Sequence, residues 1–294
     1  MVSKIGESGR ANGGAHPRPG GAATAKAGAA TAKSRERPRV RASQVLGEVL
    51  VIIGALILSF AFYEAYWTNL ESGRRQEAAA EKLDQSWDEQ RINPRGHLTP
   101  DLGEAFARMY IPAFGSDFHF AIIEGTQDED LLAGPGRYVD SQMPGEPGNF
   151  AVAGHRVGKG APFNDLDELN TCDAIVVETS TSWDVYRVMP MAGDAAGRRA
   201  EAAPCFSEAQ VQRMAGGDYS RVPGRQITTP DHIEVIHPIP DQADTAATPD
   251  MEPLLTLTTC HPQFSNAERM IIHAMQVESI QKSGNTRPAV LEES

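Results

Sequence analysis

The sequence predicts an all-β barrel or sandwich with short helices, preceded by one membrane-spanning helix. The first observation is eight short runs rich in β-forming residues, separated by turn residues, after position 104. The second is a single uncharged apolar segment near the start of the chain. The runs are Arg108–Phe114, Phe118–Glu124, Phe150–His155, Ala174–Thr179, Trp183–Pro190, His232–His237, Leu254–Cys260 and Arg269–Val277.

The first segment, residues 1–43, is rich in Gly, Ala, Pro and Arg and cannot bury a core, so we expect a disordered cytoplasmic tail. Up to residue 41 it carries nine Lys and Arg against two Glu, a charge of +7. The formal charge of the whole chain is -12, which leaves -19 for the rest. Such an acidic body argues against nucleic acid as a partner, because binding phosphates requires a basic face.

Residues 44–67 form the predicted transmembrane signal-anchor helix. Val49 to Tyr63 is uncharged, and Tyr63, Tyr66 and Trp67 supply an aromatic belt at its end. A cleaved signal peptide is disfavoured, because the basic region before it is too long and bulky residues occupy the place of a cleavage site. The basic residues before the segment predict a cytoplasmic N-terminus and an extracellular remainder.

Three further segments complete the predicted organisation. Residues 68–103 begin Ala/Glu/Gln/Arg-rich and predict a helical stalk or linker. Residues 104–278 hold the eight β runs, with short helices expected at 161–169 and 207–215, and residues 279–294 form a polar tail.

This topology places the three cysteines outside the membrane, where disulfides persist. Cys172 and Cys205 lie in polar, loop-like settings that favour a bridge, whereas Cys260 ends an apolar β run. A different pair, or three buried thiols, is compatible with the same sequence, because spacing alone does not fix connectivity.

Cys260 is also the candidate nucleophile. A thiol does nucleophilic work when a histidine shares its proton and a cation stabilises negative charge nearby. His155 and Arg269 supply those types at the ends of two other β runs, although His261, His237 and His273 are alternative partners. The spacings match no zinc or phosphate-loop motif, so we expect neither a metal nor a cofactor.

Two strings resemble the sortases, the Gram-positive surface-protein transpeptidases. TLTTCHP with Arg nine residues after the cysteine is similar to their active-site signature, and GEPGNFAVAGHRVGKGAPFNDLDEL is similar to their histidine region. The resemblance covers residues 104–278 and favours class E, with class D as its neighbour. It implies an eight-stranded sortase-type β-barrel.

The resemblance implies a two-step acyl transfer. Cys260 would attack the Thr–Gly carbonyl of an LAxTG/LPxTG-type sorting signal, His155 would move the protons, and Arg269 would orient the substrate and stabilise the oxyanion. Thr259 would help the oxyanion site. Tyr110 resembles a class E tyrosine associated with Ala in the signal.

The implied partners are secreted surface proteins with a C-terminal sorting signal, a peptidoglycan precursor or cross-bridge amine, and the cytoplasmic membrane. Cys172 stands where many members of the family carry a turn glycine, and with Cys205 it suggests an extra disulfide. A secreted cysteine peptidase that only hydrolyses, and a non-catalytic wall-binding β-domain, are the alternative functions.

Overall fold

The computed structural model describes most of the chain after the basic tail. The described residues are 41–92, 99–158, 160–243, 246–283 and 286–292. Almost all of the predicted cytoplasmic tail therefore lies outside the described residues. The chain divides into two units, 1–52 and 53–294.

A single helix, α1, runs from Ala42 to Ile92. Its first part, Ala42–Tyr63, is 22 residues long, apolar and exposed to the surroundings. At 1.5 Å per residue it is about as long as the hydrocarbon layer is thick. This part is a candidate membrane span, and the same helix continues through the predicted stalk as far as Ile92.

In the described part of the chain, nine strands and three further α-helices follow. The strands are β1 (Ala105–Tyr110), β2 (His119–Glu124), β3 (Gly136–Arg137), β4 (Gly148–Ala153), β5 (Ala174–Glu178), β6 (Ser182–Val188), β7 (Arg225–Thr228), β8 (Pro253–His261) and β9 (Glu268–Gln281). The helices are α2 (Asp128–Ala133), α3 (Ala195–Ala202) and α4 (Glu208–Gly216).

The strands form one sheet in the order β6-β5-β1-β2-β3-β4-β8-β9-β7, and pairing of β6 with β9 closes it into a barrel. The pairs β2–β3 and β4–β8 are parallel, and the other pairs are antiparallel. The predicted all-β barrel with short helices is confirmed. Eight of the strands are longer, and the remaining strand, β3, has only two residues.

The barrel core follows from the alternation of side chains along each strand. On β4, Phe150 and Val152 point inward, and on β8, Leu255 and Leu257 do the same. Residues of the opposite parity on these strands face the outside of the barrel. This alternation determines which residues at neighbouring strand ends have their side chains on the same face of the barrel.

Several predicted elements differ from the structure. The run at 232–237 is wrong as a strand: it contains a short 3-10 helix, Ile233–Ile236. The reason lies in a distant residue, because the Asn149 amide donates to the carbonyls of Val235 and His237. β3, β7, α2 and α3 were not predicted. The segment at 161–169 contains only the 3-10 helix Leu166–Glu168.

The second half of α1 packs against the barrel. Ala79, Leu83 and Trp87 form an apolar cluster with Ala121 and Ile123 of β2. These three residues recur at the spacing of one helix face. The stalk after the candidate span is therefore part of the folded domain.

A disulfide joins Cys172 to Cys205, with the two Cα atoms 5.8 Å apart. It links the turn before β5 to the residues after α3. Cys172 has a φ of 74°, a left-handed conformation that glycine adopts most readily. The positive φ explains why a turn glycine would be expected at this position.

Candidate active site

The site is built on three neighbouring strands, because β8 lies between β4 and β9 in the sheet. Cys260 is the penultimate residue of β8 and is partly exposed. Since Leu255 and Leu257 face the core, the alternation along β8 turns Cys260 to the outer face. Its thiol is therefore presented at the surface of the barrel.

His155 lies beside Cys260 on the β4 side. The parallel pairing aligns Gly148 with Pro253 and Ala153 with Thr258, and a backbone hydrogen bond of 3.0 Å from Gly154 to Thr258 extends it. Continued by two residues, this register sets His155 opposite Cys260. Phe150 and Val152 point inward, so His155 has the outward parity that Cys260 also has.

Arg269 lies beside Cys260 on the β9 side. The two residues are direct partners in the antiparallel pairing of β8 with β9. Met270 and Ile272 face the core, so Arg269 shares the outer face with Cys260. Its guanidinium donates to the carbonyls of Asn266 and Glu268, at 3.3 and 3.0 Å.

Two residues that the sequence did not indicate border the site. The Cys260 thiol donates to Oδ1 of Asn266 at 3.0 Å, from the loop that joins β8 to β9. The Tyr138 hydroxyl lies 3.0 Å from Oγ1 of Thr258, two residues before Cys260 on the same face. No motif marks either residue, because each reaches the site through the fold.

Comparison with known proteins identifies the family of this chain. The family model described as "Sortase domain" matches residues 109–277, more than half of the chain. The chain belongs to the sortase family.

Two Streptomyces coelicolor relatives support class E. This sortase is 30% identical to sortase SrtE1 over 83% of its own chain and 60% of that protein's length. It is 27% identical to sortase SrtE2 over 86% of its own chain and 90% of that protein. Among solved structures, the SrtF sortase from Corynebacterium diphtheriae is 63% identical, with a TM-score of 0.67 over 69% of this chain and 98% of that one. Sortases are cysteine transpeptidases, and this chain carries their fold.

Thr259 of this sortase faces inward, not toward the thiol. Its hydroxyl donates to the Gly154 carbonyl at 2.8 Å, and its side chain is buried. Gly154 packs so closely on the buried ring of Phe163 that an added Cβ would overlap the ring. Phe163 in turn donates its backbone N–H to the His155 carbonyl at 3.0 Å. Thr259 thus ties β8 to the segment that carries His155.

Tyr110 of this sortase lies on the outer face of the barrel, in a cluster with Val176 and Trp183. Its hydroxyl donates to Oε2 of Glu178 at 2.7 Å. Burial, followed by the hydrogen bond to Glu178, raises the pKa of Tyr110 well above its usual value. Among the described residues, its polar and ring contacts do not include Cys260, His155 or Arg269.

The alternative histidines are engaged elsewhere. His261 has the inward parity, and its Nδ1 lies 2.7 Å from Nη1 of Arg156. His237 Nδ1 contacts the Gln242 carbonyl at 2.8 Å.

His273 is fully buried, and burial lowers its pKa to about 3. Its Nδ1 lies 2.8 Å from Thr256 Oγ1. The register of β4 and β8 therefore points to His155 as the neighbour of Cys260, whereas His237 and His273 have their hydrogen bonds elsewhere.

A search for metal ligands in the described residues finds no group of three or more His, Cys, Asp or Glu that could hold an ion. A cavity of about 600 Å³ lies between α1 and the start of β1. Arg75, Lys82, Leu102 and Glu129 are among its lining residues, and none of the candidate catalytic residues lines it.

Proposed function

We propose that this chain is a membrane-anchored cysteine transpeptidase in which Cys260, His155 and Arg269 act together on an LAxTG/LPxTG-type sorting signal. The observation that carries the proposal is the strand register. Cys260 occupies the middle strand, with His155 one strand away on one side and Arg269 on the other. Nucleophile, proton carrier and cation thereby share one face.

The roles follow from the chemistry of these groups. Cys260 attacks the carbonyl of the Thr–Gly bond and forms a thioester, which releases the residues after Thr. His155 takes the thiol proton and gives it to the leaving amine. In the second step it takes a proton from the incoming amine, which attacks the thioester and releases Cys260. The Arg269 guanidinium has five N–H donors, and its cross-strand position lets it stabilise the oxyanion.

Thr259 is proposed to serve the same site from beneath. Its hydroxyl is directed at the Gly154 carbonyl, so its contribution is to hold the His155 segment against β8. This supports a positioning role in place of a direct bond to the oxyanion.

We further propose a wall amine as the acceptor and a single-pass topology with the N-terminus in the cytoplasm. The basic residues before α1 support that orientation. The disulfide between Cys172 and Cys205 supports an extracellular catalytic domain, because disulfides persist in oxidising compartments. Secreted proteins that carry a sorting signal are then the substrates on the same side of the membrane.

The test uses the full-length chain in detergent micelles with a fluorescent LAxTG peptide and an amine acceptor. We expect the amine adduct from the wild type and no adduct from Cys260→Ala, His155→Ala or Arg269→Ala. Arg199→Ala is the matched control, because Arg199 is exposed on α3. A product that stays purely hydrolytic in excess amine would identify a peptidase and refute the transpeptidase.

Signal choice is tested by comparing LAxTG with LPxTG peptides on the wild type and on Tyr110→Phe. The substitution removes only the hydroxyl that bonds Glu178. We expect a weaker preference for Ala in the variant. An unchanged ratio of kcat/KM values for the two peptides would show that Tyr110 does not select the signal.

A further inference from the structure

A buried arginine joins the two chain segments that carry the proposed nucleophile and base. Arg156 follows His155 and is 4% exposed. Its Nη1 lies 2.7 Å from Nδ1 of His261, the residue after Cys260, and its Nη2 lies 3.1 Å from Oδ1 of Asp167. We call the first contact the Arg156–His261 bridge.

The bridge lies on the face opposite to the thiol. The register that pairs β4 with β8 sets Arg156 opposite His261, just as it sets His155 opposite Cys260. Successive residues of a strand point to opposite faces. Each reacting side chain therefore has a bridge residue as its immediate neighbour in the chain.

The bridge also requires one protonation state. A guanidinium only donates hydrogen bonds, so Nδ1 of His261 must accept and carries no proton there. Protonation of the ring would set an N–H against an N–H. The charged groups around His261 are Arg156, Asp167 behind it, Arg225, which donates to the carbonyl of residue 167, and Glu268 across the strand pair.

The position of the bridge allows it to affect the spacing of His155 and Cys260. β4 ends at Ala153, and the backbone bond from Gly154 to Thr258 lies just beyond that end. Past that bond, the Thr259 hydroxyl and the Arg156–His261 bridge join the two segments by their side chains. The spacing of His155 and Cys260 depends on how firmly these segments are held together.

We propose that Arg156 and His261 are positioning residues, which hold His155 and Cys260 at their working separation from the opposite face of β4 and β8. This inference rests on the proposed transpeptidase function. A misplacement of about 1 Å between reacting groups costs about 10²-fold in rate, so loss of the bridge lowers kcat more than it raises KM.

The experiment measures kcat and KM of the full-length chain for LAxTG peptide and an amine, with active sites counted by alkylation of Cys260. We expect Arg156→Leu and His261→Leu to lower kcat by about 10²-fold. The double variant should be no slower than the slower single variant, because both remove one contact. His261→Asn keeps an acceptor at the place of Nδ1 and should restore most of the wild-type kcat.

Arg198→Leu is the matched control for loss of a buried arginine. Arg198 is 3% exposed and donates to the carbonyls of Met214 and Val222, among others, and none of its hydrogen bonds to described residues reaches β4 or β8. It should lower the melting temperature and leave kcat per titrated site unchanged. An equal loss of kcat in Arg198→Leu, or a His261→Asn as slow as His261→Leu, would overturn the positioning role. A wild type that forms no thioester would refute the proposed function itself.

Discussion

Substitution of Gly154 by Ala should disable this sortase through packing, without touching a reacting group. A Cβ at Gly154 would lie 2.7 and 2.9 Å from Cε2 and Cγ of the Phe163 ring, with Cδ2 nearer still. Carbon atoms in contact are about 3.5 to 4.0 Å apart. Relief of the overlap therefore requires a shift of about 1 Å in the ring or in the backbone before His155.

Neither shift leaves the site in place. Phe163 is fully buried, and its N–H is bonded to the His155 carbonyl, so a moving ring pulls on residue 155. A moving backbone carries His155 directly. A displacement of about 1 Å corresponds to about 10²-fold in rate, and overpacking adds a stability loss of about 1 to 3 kcal/mol.

The assay is transpeptidation of LAxTG peptide to an amine, expressed per alkylatable Cys260, together with a thermal melt. Gly193→Ala is the control, since a Cβ there meets nothing within 4 Å. Phe163→Leu in the Gly154→Ala background should restore part of the activity by making room. Wild-type kcat per site in Gly154→Ala, with only the melting temperature lowered, would refute the claim that this packing sets the position of His155.

Three further outcomes concern stability. Burial lowers the pKa of His273 to about 3 in the folded chain, whereas its ordinary pKa is near 6.5. Between pH 6.5 and pH 3, the unfolded chain therefore binds a proton at this residue that the folded chain does not bind. The free energy of unfolding should fall by about 2 kcal/mol between pH 7 and pH 5 from this group, and urea melts of His273→Asn should lack that part of the slope. Cys172→Gly with Cys205→Ser should lose about 4 kcal/mol in denaturant melts, because the bridge spans 33 residues, while kcat is retained; unchanged melts would show that the loop is held otherwise. Trp87→Ala should cost about 3 kcal/mol in the same melts, since Trp87 lies on the barrel-facing side of α1 and is only 5% exposed; a neutral result would mean that α1 contributes little to the domain.

Local sequence was enough to predict the strands that carry the site. His155 and Cys260 each end a run of alternating or apolar β-forming residues, and Arg269 begins one. That alternation also decides which face each side chain takes. The pairing that brings them together is not local, because the contact partners of β4 and β8 lie 105 positions apart.

The wrong predictions also come from contacts between residues far apart in the sequence. Ile233–Ile236 alternates as a strand would, but its carbonyls and those nearby are used by the Asn149 side chain. β3 has two residues, too few to show a period. Asn266 lies in a polar loop, and only the return of β9 beside β8 shows that its amide reaches the thiol.

The parallel pairing of β4 with β8 has a consequence for how the enzyme comes into being. Such a pair cannot close until the long crossover between the two strands has been made and folded, and long-range pairing of this kind forms slowly. Synthesis runs from the N-terminus, so the emerging chain holds His155, the proposed proton carrier, well before Cys260, the proposed nucleophile. The proposed reactive pair is therefore absent from any chain that has been made only as far as residue 259. The time at which Cys260 reaches the alkylation rate of the mature enzyme would therefore show when this last step of folding is complete.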